Sequence, residues 1–336
     1  MFNMYKLLFF HTMSIGSLIS ISSLSWFSAW MGLEINLLSL MPLMKNFKNK
    51  YSSEAAMKYF IVQAMASAIL LFSVLIFLNS SSFDMKIPLI SSLMINSALL
   101  LKIGAAPFHF WFPEVMSGLN WEMNFIMMTW QKLAPLILLS YSAFSPVFLS
   151  TIIILSSLIS SIQGMNQICL RKILAYSSIN HVSWMISALL NSTMIWFYYF
   201  IIYCFMNINI IMIFYKFNIF YLNQLSKLLS FNKKLKFIYL LNFLSLGGLP
   251  PFLGFLPKWL TINFLVKNNY LFLSTMLIIF TLLALYFYIR ICFSSFTFNS
   301  EESLINSFNN ISFFHFLLNF FVLISLSINF IFMNFY

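Results

Sequence analysis

The sequence predicts an all-α polytopic membrane protein, and three observations carry that prediction. Of 336 residues, 61% are hydrophobic and only 7% charged, against roughly 25% charged in a soluble domain. Apolar runs of about twenty residues, the length that crosses a ~30 Å hydrocarbon slab, fill the chain. Lys and Arg gather in alternate breaks between those runs, the asymmetry expected of loops on the two sides of a membrane. So few charges cannot cover a water-facing surface, and one transmembrane domain fits the length better than two soluble ones.

Segmentation at the polar breaks gives about eleven spans, 4–24, 26–44, 55–78, 87–117, 121–143, 146–165, 173–190, 194–216, 235–266, 271–297 and 313–335. The first runs from Tyr5 into apolar sequence with no small-residue cleavage signature, so it reads as a spanning helix and not a removable signal. Loops after even-numbered spans hold Lys45, Lys48, Lys50, Lys58, Arg171, Lys172, Lys216, Lys227, Lys233, Lys234 and Lys236, while the other side holds Lys86 and Lys267. That bias places the N-terminus and the even loops inside, and an odd number of spans then places the C-terminus outside.

Two spans are too long and are interrupted by proline, which removes an i→i−4 hydrogen bond and clashes with the preceding turn. One reads LLLKIGAAPFHFWFPEVM from Leu99 to Met116, the other LSLGGLPPFLGFLPKWL from Leu244 to Leu260. Both contain P-F-x4-P and then a charge, Pro107, Phe108, Pro113 and Glu114 in one and Pro251, Phe252, Pro257 and Lys258 in the other, offset by 144 throughout. Proline kinks are common in membrane helices, but the matched spacing points to an internal repeat. Spans four and nine lie an odd number of crossings apart, so the repeat is expected to be inverted, with 1–143 and 144–297 as its halves and 298–336 as a loop and final helix. Inverted repeats place discontinuous helices beside a transport path, because unwound backbone is tolerated only next to protein or a wet cavity. Inversion would set Lys102, before its break, and Lys258, after its own, on the same outer side.

Four charges sit far from any span end: Glu34, Lys102, Lys132 and Lys258. Each costs about 2.5–3.5 kcal/mol at a helix centre on insertion scales. A lysine ten residues from a span end lies about 15 Å deep at 1.5 Å per residue, too deep for its stem to reach the headgroups. A static Glu34–Lys102 ion pair is the structural alternative for those two residues. Desolvation penalises a buried ammonium and makes it an exchangeable proton site. His181, mid-span among Ser177, Ser178, Asn180 and Ser183, titrates near neutrality without help; a hydrogen-bonded packing role is its alternative reading, and His109 in the first break is similar. Glu34, Lys102, Lys132, His181 and Lys258 together read as a proton relay along the membrane plane.

Other classes fall away. The net charge of +11 is scattered between apolar runs and forms no basic face for nucleic acid. Cys169, Cys204 and Cys292 are too few and too far apart for a disulfide framework, a metal site or an iron–sulfur cluster. No phosphate-binding loop, flavin fingerprint or haem ligand pair is present, so the driving force is expected from a partner or an ion gradient. The skew toward Phe (42) and Met (21) with only 8 Gly is what AT-rich coding produces, which hints at an organelle gene.

Six stretches, in order, resemble the antiporter-like membrane subunits of respiratory complex I, NADH:ubiquinone oxidoreductase. They are WMGLEINLLSLMP (Trp30 to Pro42), EAAMKYFIVQAMAS (Glu54 to Ser67), ALLLKIGAAPFHFWFPEV (Ala98 to Val115), MTWQKLAPL (Met128 to Leu136), LRKILAYSSINHVSWM (Leu170 to Met185) and NFLSLGGLPPFLGFLPKW (Asn242 to Trp259). The resemblance implies two inverted five-helix bundles with helices 4 and 9 broken plus a final helix, and an animal form lacking the family's first three helices. It implies a proton path through a glutamate–lysine pair, a bridging lysine and a lysine on the second broken helix, which fall on Glu34, Lys102, Lys132 and Lys258, with His181 following the R-K-x-x-A-Y-S-S motif. It further implies a mitochondrial inner-membrane location with the N-terminus in the matrix and the C-terminus facing the intermembrane space. The implied partners are the other membrane-arm subunits and membrane lipid, with cardiolipin a candidate. The cofactors FMN, iron–sulfur clusters, NADH and ubiquinone are expected elsewhere in the assembly and none in this chain. Two alternatives stay open. A secondary cation/proton antiporter would be supported by a glycan at Asn79 or Asn191, and a non-pumping scaffold subunit is compatible with the 19% aromatic content.

Overall fold

A computed structural model describes residues 4–46, 49–79, 86–142, 145–225, 233–250 and 252–296. Its helices are α1 (Met4–Ile21), α2 (Trp26–Met44), α3 (Lys50–Asn79), α4 (Lys86–Ile103), α5 (Trp111–Gly118), α6 (Trp121–Met128), α7 (Trp130–Tyr141), α8 (Pro146–Met165), α9 (Leu170–Leu189), α10 (Thr193–Phe217), α11 (Lys233–Gly247), α12 (Phe255–Lys267) and α13 (Leu271–Phe296). Ten of the expected spans hold these helices, three of them as two segments each; the final helix expected over 313–335 lies outside the described residues. The chain divides into two compact units at Ser156 and Ser157, inside α8.

Local chemistry sets the ends. Ser25 caps α2 by a reciprocal box, accepting from the Ser28 N–H at 3.3 Å while the Ser28 hydroxyl accepts from the Ser25 N–H at 3.4 Å. Ser192 caps α10 in the same sense, and that helix ends on Asn218 in the left-handed region. Serines inside the helices return their hydroxyls to the carbonyl three residues back, as Ser177, Ser178 and Ser183 do in α9, so they leave no donor facing hydrocarbon.

In the first unit α1 lies against α2, and α3 joins α2, α4 and α5. The α1–α2 pair is a backbone contact: a Cβ on Gly32 would come within 2.6 Å of the Ser20 nitrogen and 2.8 Å of the Gly16 oxygen. Gly16 and Ser20 on α1 therefore meet Gly32 on α2 in a small-residue contact of the kind that lets membrane helices approach closely. The opposite face of α1, with Leu7, Leu8 and Leu18, is exposed. The stretch expected as one span over 121–143 opens at Thr129, whose hydroxyl donates to the Phe125 carbonyl at 2.7 Å. Pro135 withholds the donor that would reach the Gln131 carbonyl.

In the second unit α10 packs on α9, α11 and α12, and α13 packs on α9, α11 and α12. α9 is the least apolar of the helices that span as one piece, and every residue from Ile173 to Leu189 is buried. Its Ser, Asn and His residues consequently meet protein and not lipid.

The two broken spans share one backbone pattern at the offset of 144. Gly104 (φ 79°) and Gly248 (φ 77°) each take the left-handed conformation that ends a helix. The Ala105 N–H bonds the Leu100 carbonyl and the Gly104 N–H the Leu101 carbonyl; correspondingly, the Leu249 N–H bonds the Leu244 carbonyl and the Gly248 N–H the Ser245 carbonyl. This is the Schellman termination, followed in both cases by a new helix start, at Trp111 and at Phe255.

Gly32→Val should separate α1 from α2, at about 1–3 kcal/mol for overpacking. The expected result is a lower thermal midpoint of the purified assembly, with Leu18→Val on the exposed face leaving the midpoint unchanged.

Candidate functional site

The first unit brings Lys102 and Lys132 to one cavity. Lys102 is in the last turn of α4, just before the Gly104 termination, and is 7% exposed; Lys132, at the start of α7, is 2% exposed. Both line a cavity of about 20 Å³, together with Asn36, Tyr59, Gln63 and Gln131. That volume is room for a single water among polar partners. The Lys132 ammonium lies 5.1 Å from the Phe112 ring centre, a cation–π contact supplied by α5.

Uncharged polar groups frame this cavity, and attention to charges alone misses them. The Tyr59 hydroxyl donates to Gln131 Oε1 at 3.4 Å, and Gln131 Nε2 donates to Asn36 Oδ1 at 2.8 Å. Gln63 Nε2 donates to the Lys102 carbonyl at 3.3 Å and Trp111 Nε1 to the Leu101 carbonyl at 3.2 Å. The first supplies a donor to a carbonyl at the end of α4, and the second adds a bond to a carbonyl that already accepts from the Gly104 N–H. The available signal was the mid-span placement of Asn36, Gln63 and Gln131, since an amide in hydrocarbon is costly unless bonded.

Glu34 is half-buried on α2 with its Oε1 enclosed and without a hydrogen-bond partner. It acts electrostatically on both Lys102 and Tyr59, yet no ion pair joins it to Lys102. The static pair considered from sequence is thus not formed here. Lys58 does pair, at 3.0 Å with Glu54 and 2.8 Å with Glu114, on an exposed face, where such bridges contribute little.

The second unit holds Lys258 and His181. Lys258, in the first turn of α12 and 7% exposed, folds back over the break and donates to the Gly247 carbonyl at 2.9 Å. Its stem occupies the space over Gly248, where a Cβ would sit 2.8 Å from the lysine Cδ and Nζ. A cation at a helix C-terminus is also favoured by the helix dipole. His181, at mid-α9 and 2% exposed, has its Nδ1 3.0 Å from the Tyr199 hydroxyl on α10. His109, in the first break, has its Nδ1 3.3 Å from the Pro107 carbonyl. Among the described residues no group of three or more His, Cys, Asp or Glu is placed to hold a metal ion.

Discontinuous helices with buried ionisable side chains at their breaks define the ion-translocating type of helical membrane protein. The chain belongs to the NADH:quinone oxidoreductase/Mrp antiporter transmembrane family, which it matches over residues 23–284. It is 50% identical over 301 residues to NADH-ubiquinone oxidoreductase chain 2 of Anopheles gambiae, covering 88% of each chain. It is 46% identical over 293 residues to the protein of that name in Locusta migratoria, covering 87% of this chain and 86% of the relative. In fold it is similar to a chain of respiratory complex I from Thermus thermophilus, with a TM-score of 0.85 at 23% identity over 96% of this chain and 78% of that one.

Gly248→Ala should strain the left-handed residue by about 1 kcal/mol or more and push Lys258 off the Gly247 carbonyl. Proton translocation by the assembled complex is expected to fall, whereas Gly247→Ala, whose Cβ would meet nothing closer than 3.6 Å, should leave it unchanged.

Proposed function

We propose that this chain is a core membrane-arm subunit of a proton-pumping NADH:ubiquinone oxidoreductase and that it carries a proton relay through Glu34, Lys102, Lys132, His181 and Lys258. The observation that carries the reading is the placement of a buried lysine at each helix break in a chain of this family, with Lys102 sharing its cavity with Lys132. Redox chemistry belongs to the rest of the assembly, where NADH, FMN, iron–sulfur clusters and ubiquinone are handled; this chain contributes titratable groups and no electron carrier. Quinone reduction elsewhere perturbs a neighbouring membrane-arm subunit, and the perturbation passes along the buried row.

Within the first unit the Glu34 carboxylate attracts the Lys102 ammonium across a gap without a direct pair. A change in the charge or position of Glu34 therefore changes whether Lys102 holds its proton. Lys132 takes the proton through the shared cavity, and His181 and Lys258 are the later members of the row. At the Gly247–Pro257 break the Lys258 ammonium exchanges its carbonyl bond for a bond to water, so this break acts as the gate.

The repeat is read as inverted, with 1–143 and 144–297 as its halves and 298–336 as a loop and closing helix. The matched Schellman terminations at Gly104 and Gly248 support it. The chain is multi-pass in the mitochondrial inner membrane, its N-terminus in the matrix and its C-terminus toward the intermembrane space, with membrane-arm subunits and lipid, cardiolipin among them, as neighbours.

Glu34→Gln and Lys102→Met should assemble and yet lower the protons moved per NADH oxidised in reconstituted complex. A normal proton-to-electron ratio in Glu34→Gln would remove Glu34 from the relay. Lys258→Met is expected to abolish coupling more fully, since it loses both the proton site and the ligand of the Gly247 carbonyl.

A further inference from the structure

Resting on that repeat and on the gate at Lys258, we infer that Asn207 and the Leu246 carbonyl bind one water molecule at the second break, and that this water receives the Lys258 ammonium when it leaves the Gly247 carbonyl. The offset of 144 that relates the two breaks also relates the polar residues framing the first one: Asn36, Tyr59 and Gln63 correspond to Asn180, Tyr203 and Asn207, and Lys102 to Leu246. In the first unit Gln63 Nε2 donates to the Lys102 carbonyl. The corresponding donor and acceptor in the second unit are Asn207 Nδ2 and the Leu246 carbonyl. Both residues are buried, at 1% and 0% exposure. α10 meets the break at this level, since a Cβ on Gly254 would run into both the sulfur of Met206, next to Asn207, and the carbonyl of Ser245, next to Leu246.

Each of the two groups is short of a partner for a local reason. A helical carbonyl accepts from the N–H four residues on, and for Leu246 and Gly247 those residues are Pro250 and Pro251, which have none. Lys258 serves the Gly247 carbonyl. Asn207 is one methylene shorter than Gln63, and its Nδ2 is enclosed without a hydrogen-bond partner. A buried amide N–H and a buried carbonyl are costly unless bonded, and a donor and an acceptor too far apart to meet are the partners a buried water takes. The bond count closes. The water accepts from Asn207 Nδ2 and donates to the Leu246 carbonyl, which leaves it one lone pair and one O–H. When the Lys258 ammonium swings to that lone pair, the remaining O–H donates to the neighbouring Gly247 carbonyl. Neither carbonyl at the end of α11 loses its donor while the lysine is away.

The test uses the intact complex. In a map of the wild-type assembly that resolves ordered water, one water is expected within hydrogen-bonding distance of both Asn207 Nδ2 and the Leu246 oxygen; a direct Asn207–Leu246 bond, or no water there, overturns the inference. In proteoliposomes, with proton translocation normalised to assembled complex, Asn207→Leu removes the donor and is expected to slow translocation about tenfold, the scale of an unmade buried hydrogen bond. Asn207→Gln has the length of Gln63, bonds the carbonyl directly and displaces the water. Its thermal midpoint should match the wild type while its translocation falls as in Asn207→Leu, a split that a purely structural donor would not produce. Wild-type translocation in either variant, a lowered midpoint in Asn207→Gln, or failure of Asn207→Leu to assemble each overturns the inference as well. Wild-type translocation in Lys258→Met would instead remove Lys258 from the relay and take down the reading beneath this one, whatever the map shows at Asn207.

Discussion

A backbone carbonyl released inside a hydrocarbon layer has to find a donor, and this requirement shapes both functional regions. Each broken helix ends on a glycine in the left-handed conformation, and each releases carbonyls at membrane depth. In the first break the donor to the Lys102 carbonyl is Gln63 from α3; in the second the donor to the Gly247 carbonyl is Lys258 from α12. The side chain that completes the second termination is thus itself ionisable. Its ammonium lies at a helix C-terminus and donates to a single carbonyl, so one ionisable group also completes the backbone termination.

The first unit solves a related problem with amides and an aromatic ring. Lys132 rests against Phe112, and the cavity it shares with Lys102 is framed by the Tyr59–Gln131–Asn36 chain. Neutral donors and acceptors allow a lysine to exist with or without its proton, since neither state leaves a full opposite charge buried alone. A tight Glu34–Lys102 ion pair would hold both helices and fix both charges. The carboxylate acts on Lys102 at a distance, with no ion pair between them.

The packing that supports these sites depends on small residues. Gly16 and Gly32 bring α1 and α2 into backbone contact, and a Cβ on Gly254 would run into the Ser245 carbonyl, so the second break closes on itself only with glycine there. In a membrane, where lipid tails are as apolar as leucine, such close contacts carry much of the association between helices. α9 illustrates the consequence: enclosed by protein along its length, it can carry four buried serines, Asn180 and His181 without exposing them to lipid.

The membrane class, the helices over ten of the expected spans, the two breaks and their 144-residue correspondence were legible in the sequence, because apolar run length, proline position and glycine placement are local quantities. Glu34, Lys102, Lys132, His181 and Lys258 were legible for a related reason: a charge or histidine deep in an apolar run is conspicuous wherever the chain folds. The partners of those residues were not. Whether Glu34 touches Lys102, that Lys258 turns back to Gly247, that Gln131 links Tyr59 to Asn36 and that Tyr199 reaches His181 all depend on which faces of separate helices meet. That is fixed by packing between residues 11 to 95 positions apart in the chain and on separate helices, which no local pattern specifies. The sequence by itself determined where charge falls in apolar runs; the tertiary structure decided which groups meet each buried charge, because those contacts form only where faces of separate helices pack.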